Sequence, residues 1–231
     1  MALGKDRPAD EYRDILGSAL EECVSISRVI QSLLFLAGAE TATGDGHHGT
    51  IQVRQEIEAV LDFYEAAAAD AGVALHVEAT ADFPAAFDRT LFQQAVGNLV
   101  ANAIAHTPSG GRVMIRPGSD GALLRIEVAD TGCGIPPEHL PHVFDRFYRA
   151  DRARSGSGGK LGLGLAMAGS IATLHGGRVA ITSEVGQGTR LRLETPFDGN
   201  AAPAGGRTSL HDGIVMLAFS KRQAGRLLLP I

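Results

Sequence analysis

Residues 97–108 read GNLVANAIAHTP and place two asparagines, Asn98 and Asn102, one helical turn apart. Apolar residues at spacings of three and four predict that this stretch lies in a helix with one buried face. They are Phe92, Val96, Leu99 and Ala103. Asparagine is a middling helix former because its side chain competes for backbone hydrogen bonds, so two on one flank need a reason. They could be structural amides that fix neighbouring loops, or oxygen donors that coordinate Mg²⁺ without the charge of a carboxylate.

The sequence on both sides of this helix alternates between helical and strand patterns. Helices are predicted over about 53–71, from a capping Asp88 to about 106, and over about 163–175. Strands are predicted over 74–80, 85–88, 111–117, 122–130, 177–184 and 188–196. This order predicts an α+β fold, a two-layer α/β sandwich in which helices cover one face of a mixed, largely antiparallel sheet.

The ends of the chain differ in character from this domain. Residues 9–40 carry a heptad pattern, which predicts a long helix that packs along another helix, although no second helix of matching length precedes it. We therefore divide the chain into a helical segment at 1–40, a polar, glycine-containing linker at 41–52, a domain at 53–197 and a tail at 198–231. No function is predicted for the tail.

The composition restricts the classes of function. The net charge of −5 argues against general binding to nucleic acid or to an anionic membrane, so any basic site must be local. No stretch approaches the ~20 apolar residues that cross a bilayer, and the first residues lack the apolar core of a signal peptide. Two cysteines far apart favour a reducing compartment. We expect a cytoplasmic protein with no direct membrane span.

A second motif, EVADTGCGIP, lies at 127–136. Asp130 ends a predicted strand, where its carboxylate could accept a hydrogen bond from an exocyclic amine such as that of adenine. Gly132 and Gly134 would let a flat base approach the backbone. The alternative is an ordinary Asp-Gly turn.

A third motif, GSGGKLGLGLAMAG at 156–169, brings glycines to the start of a helix, where backbone N–H groups can bind phosphate. Basic residues surround this motif and form a local cluster on an acidic protein. They are Arg146, Arg149, Arg152, Arg154 and Lys160. The alternative is a flexible, solvated loop. GQGT at 186–189 is a further, shorter glycine motif.

The motifs occur in a fixed order: Asn-x3-Asn, Asp-x-Gly-x-Gly, GLGLA and GxGT. With this order the sequence resembles, over about residues 53–197, the ATP-binding catalytic domain of sensor histidine kinases, in the superfamily shared with gyrase and Hsp90-type ATPases. FDRFYRAD at 144–151 resembles the family's phenylalanine motif. The heptad helix resembles the second helix of the family's dimerisation and phosphotransfer hairpin, in the style of membrane-bound, heavy-metal-type sensors.

The resemblance implies roles around ATP and Mg²⁺ for individual residues. Asn102 would be the Mg²⁺ ligand, and Asn98 would help to position the ion and the phosphates. Asp130 would bind the adenine amino group, with Thr189 nearby through water. The other implied ATP-binding residues are Gly132 and Gly134 at the base, Phe144 and Phe147 anchoring a mobile lid, Arg149 and Lys160 in the basic cluster, and Gly162, Leu163 and Gly164 at the phosphate loop.

The sequence departs from the family in three places. Lys160 and Leu161 stand where members usually have glycine and a small hydroxyl residue, so Lys160 could itself contact phosphate. Ala105 stands where many members have lysine or arginine. None of the eight histidines lies in a motif like the family's acceptor, Ser-His-Glu-x-x-Thr-Pro, so the chain resembles a kinase that lacks its first hairpin helix.

The function that the resemblance implies is a kinase catalytic module that binds Mg-ATP. Its γ-phosphoryl group would pass to a histidine on a hairpin helix, supplied in trans or by a homodimer partner, and then to a response regulator. Hydrolysing relatives have a glutamate one turn before the magnesium asparagine; Asn98 has that position here and cannot act as a base, which favours transfer. The alternatives are a catalytically incomplete nucleotide-binding or dimerisation module and a serine kinase of the anti-sigma type, which the long helix disfavours.

Overall fold

The computed structural model describes residues 49–78, 82–119, 122–150 and 162–196, together with Tyr12, Gly17 and the backbone of 210–211 and 214–217. The long helix predicted over 9–40 lies outside the described residues, apart from Tyr12 and Gly17, and stays a prediction. Lys160, Leu161 and two arginines of the basic cluster, Arg152 and Arg154, lie outside them as well.

The predicted helices are confirmed to within two residues at each end. They are α1 at Val53–Ala71, α2 at Arg89–His106 and α3 at Gly164–Leu174. The strands are β1 at Gly49–Gln52, β2 at Ala74–Val77, β3 at Pro84–Phe87, β4 at Arg112–Ser119, β5 at Leu123–Asp130, β6 at Arg178–Glu184, β7 at Gly188–Pro196, β8 at Leu210–His211 and β9 at Ile214–Leu217. Asp88 caps α2 as predicted, because its Oδ1 accepts a hydrogen bond from the Leu91 N–H at 2.8 Å.

The sheet is mixed and largely antiparallel, as predicted. Seven strands lie in the order β2-β4-β5-β7-β6-β9-β8, and β1 pairs separately with β3. Within this sheet β2 runs parallel to β4, and the other neighbours are antiparallel. The parallel pair is joined by a long crossover that contains β3 and α2, as parallel neighbours require.

Alternation along β5, an inner strand, separates the two faces of the sheet. Leu124, Ile126 and Val128 are buried beneath the helices, and α2 packs against both β5 and α3. The opposite face carries charges: Glu127 accepts hydrogen bonds from Arg116 and Arg192. The core therefore lies in one layer between helices and sheet, and the two-layer sandwich is confirmed.

Two segments differ from their sequence prediction. The linker predicted over 41–52 is wrong for its last four residues, since 49–52 form β1, antiparallel to β3. Only Ile51 of this strand is buried, so the sequence offered no alternation to detect. In the tail, for which no element was predicted, the backbone of β9 pairs with β6 and extends the sheet.

Candidate functional site

Asp130 is the last residue of β5, and its side chain is only 8% exposed. Its Oδ1 accepts hydrogen bonds from the backbone N–H groups of Gly132, at 2.8 Å, and Thr189, at 3.1 Å. Burial raises the pKa of this carboxyl, while the two N–H donors and the nearby His106 oppose the rise. The other oxygen, Oδ2, takes part in neither bond, so it is available to a donor from outside the chain.

Three glycines surround Asp130 where a side chain would not fit. A Cβ at Gly132 would overlap the backbone oxygen of His106, and a Cβ at Gly134 would overlap that of Glu184. At Gly188, where φ is 103°, a Cβ would overlap the carbonyl oxygen of Asp130 itself. Three turns thus approach one another through bare backbone, and only glycine allows this close packing around Asp130.

Thr189 is 7% exposed and joins Asp130 to a hydroxyl network that was not predicted from the sequence. Its Oγ1 lies 2.9 Å from the Oγ of Ser183, which also accepts a hydrogen bond from the Ile135 N–H at 2.9 Å. Ser183 follows the buried Val179 and Ile181 at alternate positions of β6. A polar residue at the inward-facing position of an apolar alternation was the signal that could have found it.

Asn98 lies in the middle of α2, on the side that faces the start of α3. Its Nδ2 is buried and has no hydrogen-bond partner among the described residues. Its Oδ1 would lie 3.3 Å from a Cβ at Gly164. A buried polar atom without a partner costs about 1–3 kcal/mol, so this amide needs a reason such as a ligand. Asn102 is half-buried one turn further along the same flank.

The N-terminus of α3 is open to an anion. Gly164 begins this helix and Leu163 precedes it as the cap residue, without a side-chain hydrogen bond to the first turn. The first N–H groups of the helix therefore keep their donor capacity, and the helix dipole adds positive potential at the same end.

The two phenylalanines of the motif at 144–151 lie in different surroundings. Phe144 is 2% exposed and belongs to the core, whereas Phe147 is 54% exposed. The Phe147 backbone has a φ of 64°, and its N–H donates to the carbonyl oxygen of Gly162 at 3.1 Å. Gly162 also has a positive φ, of 69°, and a Cβ there would overlap the backbone of Tyr148. The phenylalanine motif is thus attached to the first glycine before α3.

Helix α2 connects the two halves of the site. Its last residue, His106, accepts a hydrogen bond from the Cys133 N–H at 3.2 Å, within the turn that follows Asp130. Its middle residue, Asn98, contacts the start of α3. The two points are separated by about 12 Å at ~1.5 Å per residue, and Asn102 lies between them. The acid-and-glycine turn and the anion site are thus held at a fixed separation by one helix.

The structure leaves some of the predicted residues untested. Arg149 is half-buried beside the phenylalanine motif, and its contact with a nucleotide stays a prediction. Lys160 lies outside the described residues, as noted above. Among the residues that are described, no group of three or more His, Cys, Asp or Glu side chains is placed to hold a metal ion. Within the same ranges no helix has the length and apolar content that crossing a bilayer requires.

The fold and the site agree with a known family. Residues 87–199 match the family described as Histidine kinase-, DNA gyrase B-, and HSP90-like ATPase. A solved histidine kinase, ThkA in complex with the response regulator protein TrrA, has the same fold, with a TM-score of 0.60 at 21% identity, covering 85% of this chain and 54% of that chain. The chain therefore contains an ATPase domain of this class.

Within the class, the similar curated proteins are sensors. The chain is 38% identical to the sensor protein IrlS of Burkholderia pseudomallei over 196 residues, which is 85% of this chain and 42% of IrlS. It is 37% identical to the sensor histidine kinase CusS of Escherichia coli over 196 residues, which is 85% of this chain and 40% of CusS. The chain belongs to the sensor histidine kinase family and spans less than half the length of these relatives.

Proposed function

We propose that this chain is the catalytic module of a protein-histidine kinase, which binds Mg-ATP and transfers its γ-phosphoryl group to a histidine supplied in trans. One observation carries the proposal: α2 contacts the turn after Asp130 at one end and, through the unpartnered Asn98, the open N-terminus of α3. A ligand that fits both ends needs a hydrogen-bond donor at one and an anion at the other. Adenosine triphosphate has both.

At the base end, Asp130 recognises the exocyclic amine of adenine. The Oδ2 atom is free to accept, while Oδ1 is held by the N–H groups of Gly132 and Thr189. Because the acid is buried, a hydrogen bond to it is not weakened by competing water. The turn that contains Gly132 and Gly134 borders the flat ring.

At the phosphate end, Asn102 and Asn98 are the residues that would hold Mg²⁺. The unpartnered Asn98 amide fits a bound phosphate or a water of the ion's shell, and an amide oxygen at Asn102 is a suitable hard ligand. Mg²⁺ generally binds through one or two protein oxygens plus substrate phosphates, so a cluster of acids is not required. When bound, it supplies charge neutralisation during phosphoryl transfer. The N–H groups at Gly164 orient the phosphates from the other side.

The acceptor comes from outside the described residues. An imidazole nitrogen of a hairpin helix, in trans or in a homodimer partner, would attack the γ-phosphorus in line, and ADP would leave. Neither Asn98 nor Asn102 can take a proton from water, which disfavours hydrolysis as the main reaction. A response regulator would receive the phosphoryl group next. We infer that this transfer takes place in the cytoplasm.

The test uses the whole chain with a separate hairpin fragment that carries the family's Ser-His-Glu-x-x-Thr-Pro motif. We expect γ-labelled ATP with Mg²⁺ to give acid-labile, base-stable label on the fragment, and Asn102→Ala to abolish it. Gln55→Ala, an exposed amide on α1, is the matched control and should leave transfer intact. Nucleotide binding without any transfer would contradict the kinase proposal and favour a nucleotide-binding or dimerisation module.

A further inference from the structure

Ser183 connects three segments of the base end of the site through one hydroxyl group. Its Oγ lies 2.9 Å from the Ile135 nitrogen, 3.0 Å from the Gly188 carbonyl oxygen and 2.9 Å from the Thr189 Oγ1. Ile135 belongs to the turn after Asp130, and Gly188 begins β7. Ser183 is therefore the point at which the two turns beside Asp130 are joined.

The chemistry of the three partners fixes the direction of each hydrogen bond. The Ile135 N–H can only donate, and the Gly188 carbonyl oxygen can only accept, so the single hydrogen of Ser183 goes to Gly188. The hydrogen between the two hydroxyl groups must then come from Thr189. As a result the Thr189 oxygen has only lone pairs left for anything that lies in the site.

This arrangement places two acceptors next to each other. The Thr189 backbone N–H donates a hydrogen bond to Asp130 Oδ1 at 3.1 Å. This bond holds Thr189, and with it the Thr189 side chain, beside the carboxylate. Asp130 Oδ2 can accept a hydrogen bond from a bound ligand. Because the Thr189 hydroxyl hydrogen is donated to Ser183, Thr189 Oγ1 can also only accept one from the ligand. The polar edge of the proposed base site thus consists of acceptors.

We propose that Ser183 is a positioning residue for base specificity, and that it makes the site select adenine over guanine by holding the Thr189 hydroxyl as an acceptor. Adenine has an amine donor at position 6, whereas guanine has a carbonyl oxygen there, which two acceptors reject. This inference rests on the proposed ATP-binding function and adds a residue to it. With guanine bound, its O6 would face the oxygens of Asp130 and Thr189 without a hydrogen between them. The cost of these unpaired acceptors supplies most of the difference in affinity between ATP and GTP.

Without the serine hydroxyl, the Thr189 hydrogen is free to rotate and to donate to guanine O6. The Ile135 N–H loses its acceptor in the same variant, which loosens the wall next to Gly134. The first effect changes the ratio of ATP to GTP affinity, whereas the second lowers the affinity for both nucleotides equally. The ratio is therefore the measurement that separates positioning from a merely structural role.

The experiment measures ATP and GTP affinities of the full chain by calorimetry with Mg²⁺. We expect the wild type to prefer ATP, and Ser183→Ala to reduce that preference by roughly tenfold, the effect of losing one correctly directed hydrogen bond. Ser183→Thr keeps a hydroxyl and should retain the preference to within about twofold. Thr182→Ala, on the exposed face of the same strand, is the matched control and should behave as wild type.

A double-mutant cycle tests the route through Thr189. In a Thr189→Val background, Ser183→Ala should change the ATP-to-GTP ratio by less than about twofold, because the hydroxyl it directs is gone. The inference fails if Ser183→Ala lowers both affinities equally, or if its effect on the ratio persists without Thr189. If the wild type binds neither nucleotide, the proposed function itself fails and this inference with it.

Discussion

At the scale of single residues, the fold buries the carboxyl group of Asp130, which disfavours its ionised form. Burial raises its pKa, so the native state binds a proton more readily than the unfolded chain does. The stability linked to this group is fully present below its ordinary pKa and is lost as the pH rises through the raised value. At neutral pH the ionised acid therefore reduces stability, as expected of the proposed role in binding.

Asp130→Asn should consequently separate stability from function. The amide oxygen can still accept from Gly132 and Thr189, and the buried charge is gone, so we expect the melting temperature to rise, by roughly 2–4 °C for each 1 kcal/mol relieved. ATP affinity should fall at least about tenfold, because an amide N–H₂ would face the adenine amine. Differential scanning fluorimetry and calorimetry measure the two. Asp62→Asn, an exposed acid on α1, should change neither; a destabilised Asp130→Asn would contradict the interpretation.

The same acid predicts how nucleotide affinity depends on pH. Only the ionised carboxylate accepts from an amine without offering a hydrogen of its own. Since the pKa of Asp130 is raised, ATP affinity should begin to fall on acidification at a higher pH than an ordinary aspartate, with a pKa of 3.8, would give. Calorimetric titrations at decreasing pH, with the protein shown to remain folded by circular dichroism, measure this. A fall that follows only the ordinary aspartate value would contradict it.

Gly134 lies where both the backbone conformation and the lack of space exclude a side chain. Its φ is 69°, and a Cβ would overlap the Glu184 carbonyl oxygen, which belongs to a strand end and cannot move aside cheaply. Gly134→Ala should lower the unfolding free energy by about 1–3 kcal/mol and also weaken ATP binding, since the displaced turn is a wall of the site. Gly118→Ala, where a Cβ meets nothing within 4 Å, is the control for urea denaturation. Equal effects in the two variants would exclude a specific role for Gly134.

At the scale of elements, two of the four half-buried side-chain amides on α2 differ in their hydrogen bonding. Gln93 donates from Nε2 to the buried Glu56 at 2.6 Å, whereas Asn98 Nδ2 has no described partner. Replacing a satisfied amide leaves a buried charge short of a donor, while replacing an unsatisfied one removes a cost. The same substitution on the same helix should therefore act in opposite directions.

We expect Gln93→Leu to lower the unfolding free energy of the nucleotide-free protein by about 1–2 kcal/mol, and Asn98→Leu to leave it unchanged or raise it. Asn98→Leu should nevertheless abolish the stabilisation by Mg-ATP, which Gln93→Leu should retain. Thermal and urea denaturation with and without nucleotide provide all four values. A strongly destabilised Asn98→Leu in the absence of nucleotide would mean that its amide has a structural role instead.

The elements also show what the sequence could and could not predict. Helices α1, α2 and α3 were predictable because each shows a repeated spacing or a recognisable cap, as Asp88 does for α2. Strand β1 was not, since it buries one residue, Ile51, and derives its stability from pairing with β3 more than 30 residues away. The alternation along β6 marks Ser183 as an inward-facing polar residue, but its hydroxyl network is defined by turns that only the folded sheet brings together.

The site shows a similar division. Asp130, Gly132 and Gly134 were predicted together because they are neighbours in the sequence. That Thr189, which is 59 residues further on, donates its backbone N–H to Asp130 follows from the pairing of β5 with β7 and not from any local pattern. Resemblance supplied that residue, whereas periodicity could not. The unpartnered nitrogen of Asn98 is likewise a property of packing and not of spacing.

At the scale of the whole molecule, the site joins parts of the domain that would otherwise be coupled only through the core. Mg-ATP bound between β5, α2 and α3 should stabilise the fold by mass action, by about 2.7 kcal/mol at a nucleotide concentration of 100 times Kd. For a domain of this size that corresponds to a rise of roughly 5–10 °C in melting temperature. If the ion is held between Asn102 and the phosphates, much of this rise depends on Mg²⁺.

Removal of the metal therefore tests the arrangement of the entire site. We expect EDTA to reduce the ATP-induced rise in the wild type by more than half, because the triphosphate then lacks both its counter-ion and its attachment to α2. In Asn102→Ala the rise should be small and the same with Mg²⁺ or EDTA, whereas Gln55→Ala should respond as wild type does. Adenosine, which has no phosphates, should give a small rise that ignores EDTA in every variant but is lost in Asp130→Asn. If EDTA reduces the ATP-induced rise in Asn102→Ala as much as in the wild type, Asn102 is not a ligand of the metal. That result would not affect the assignments at the base end of the site.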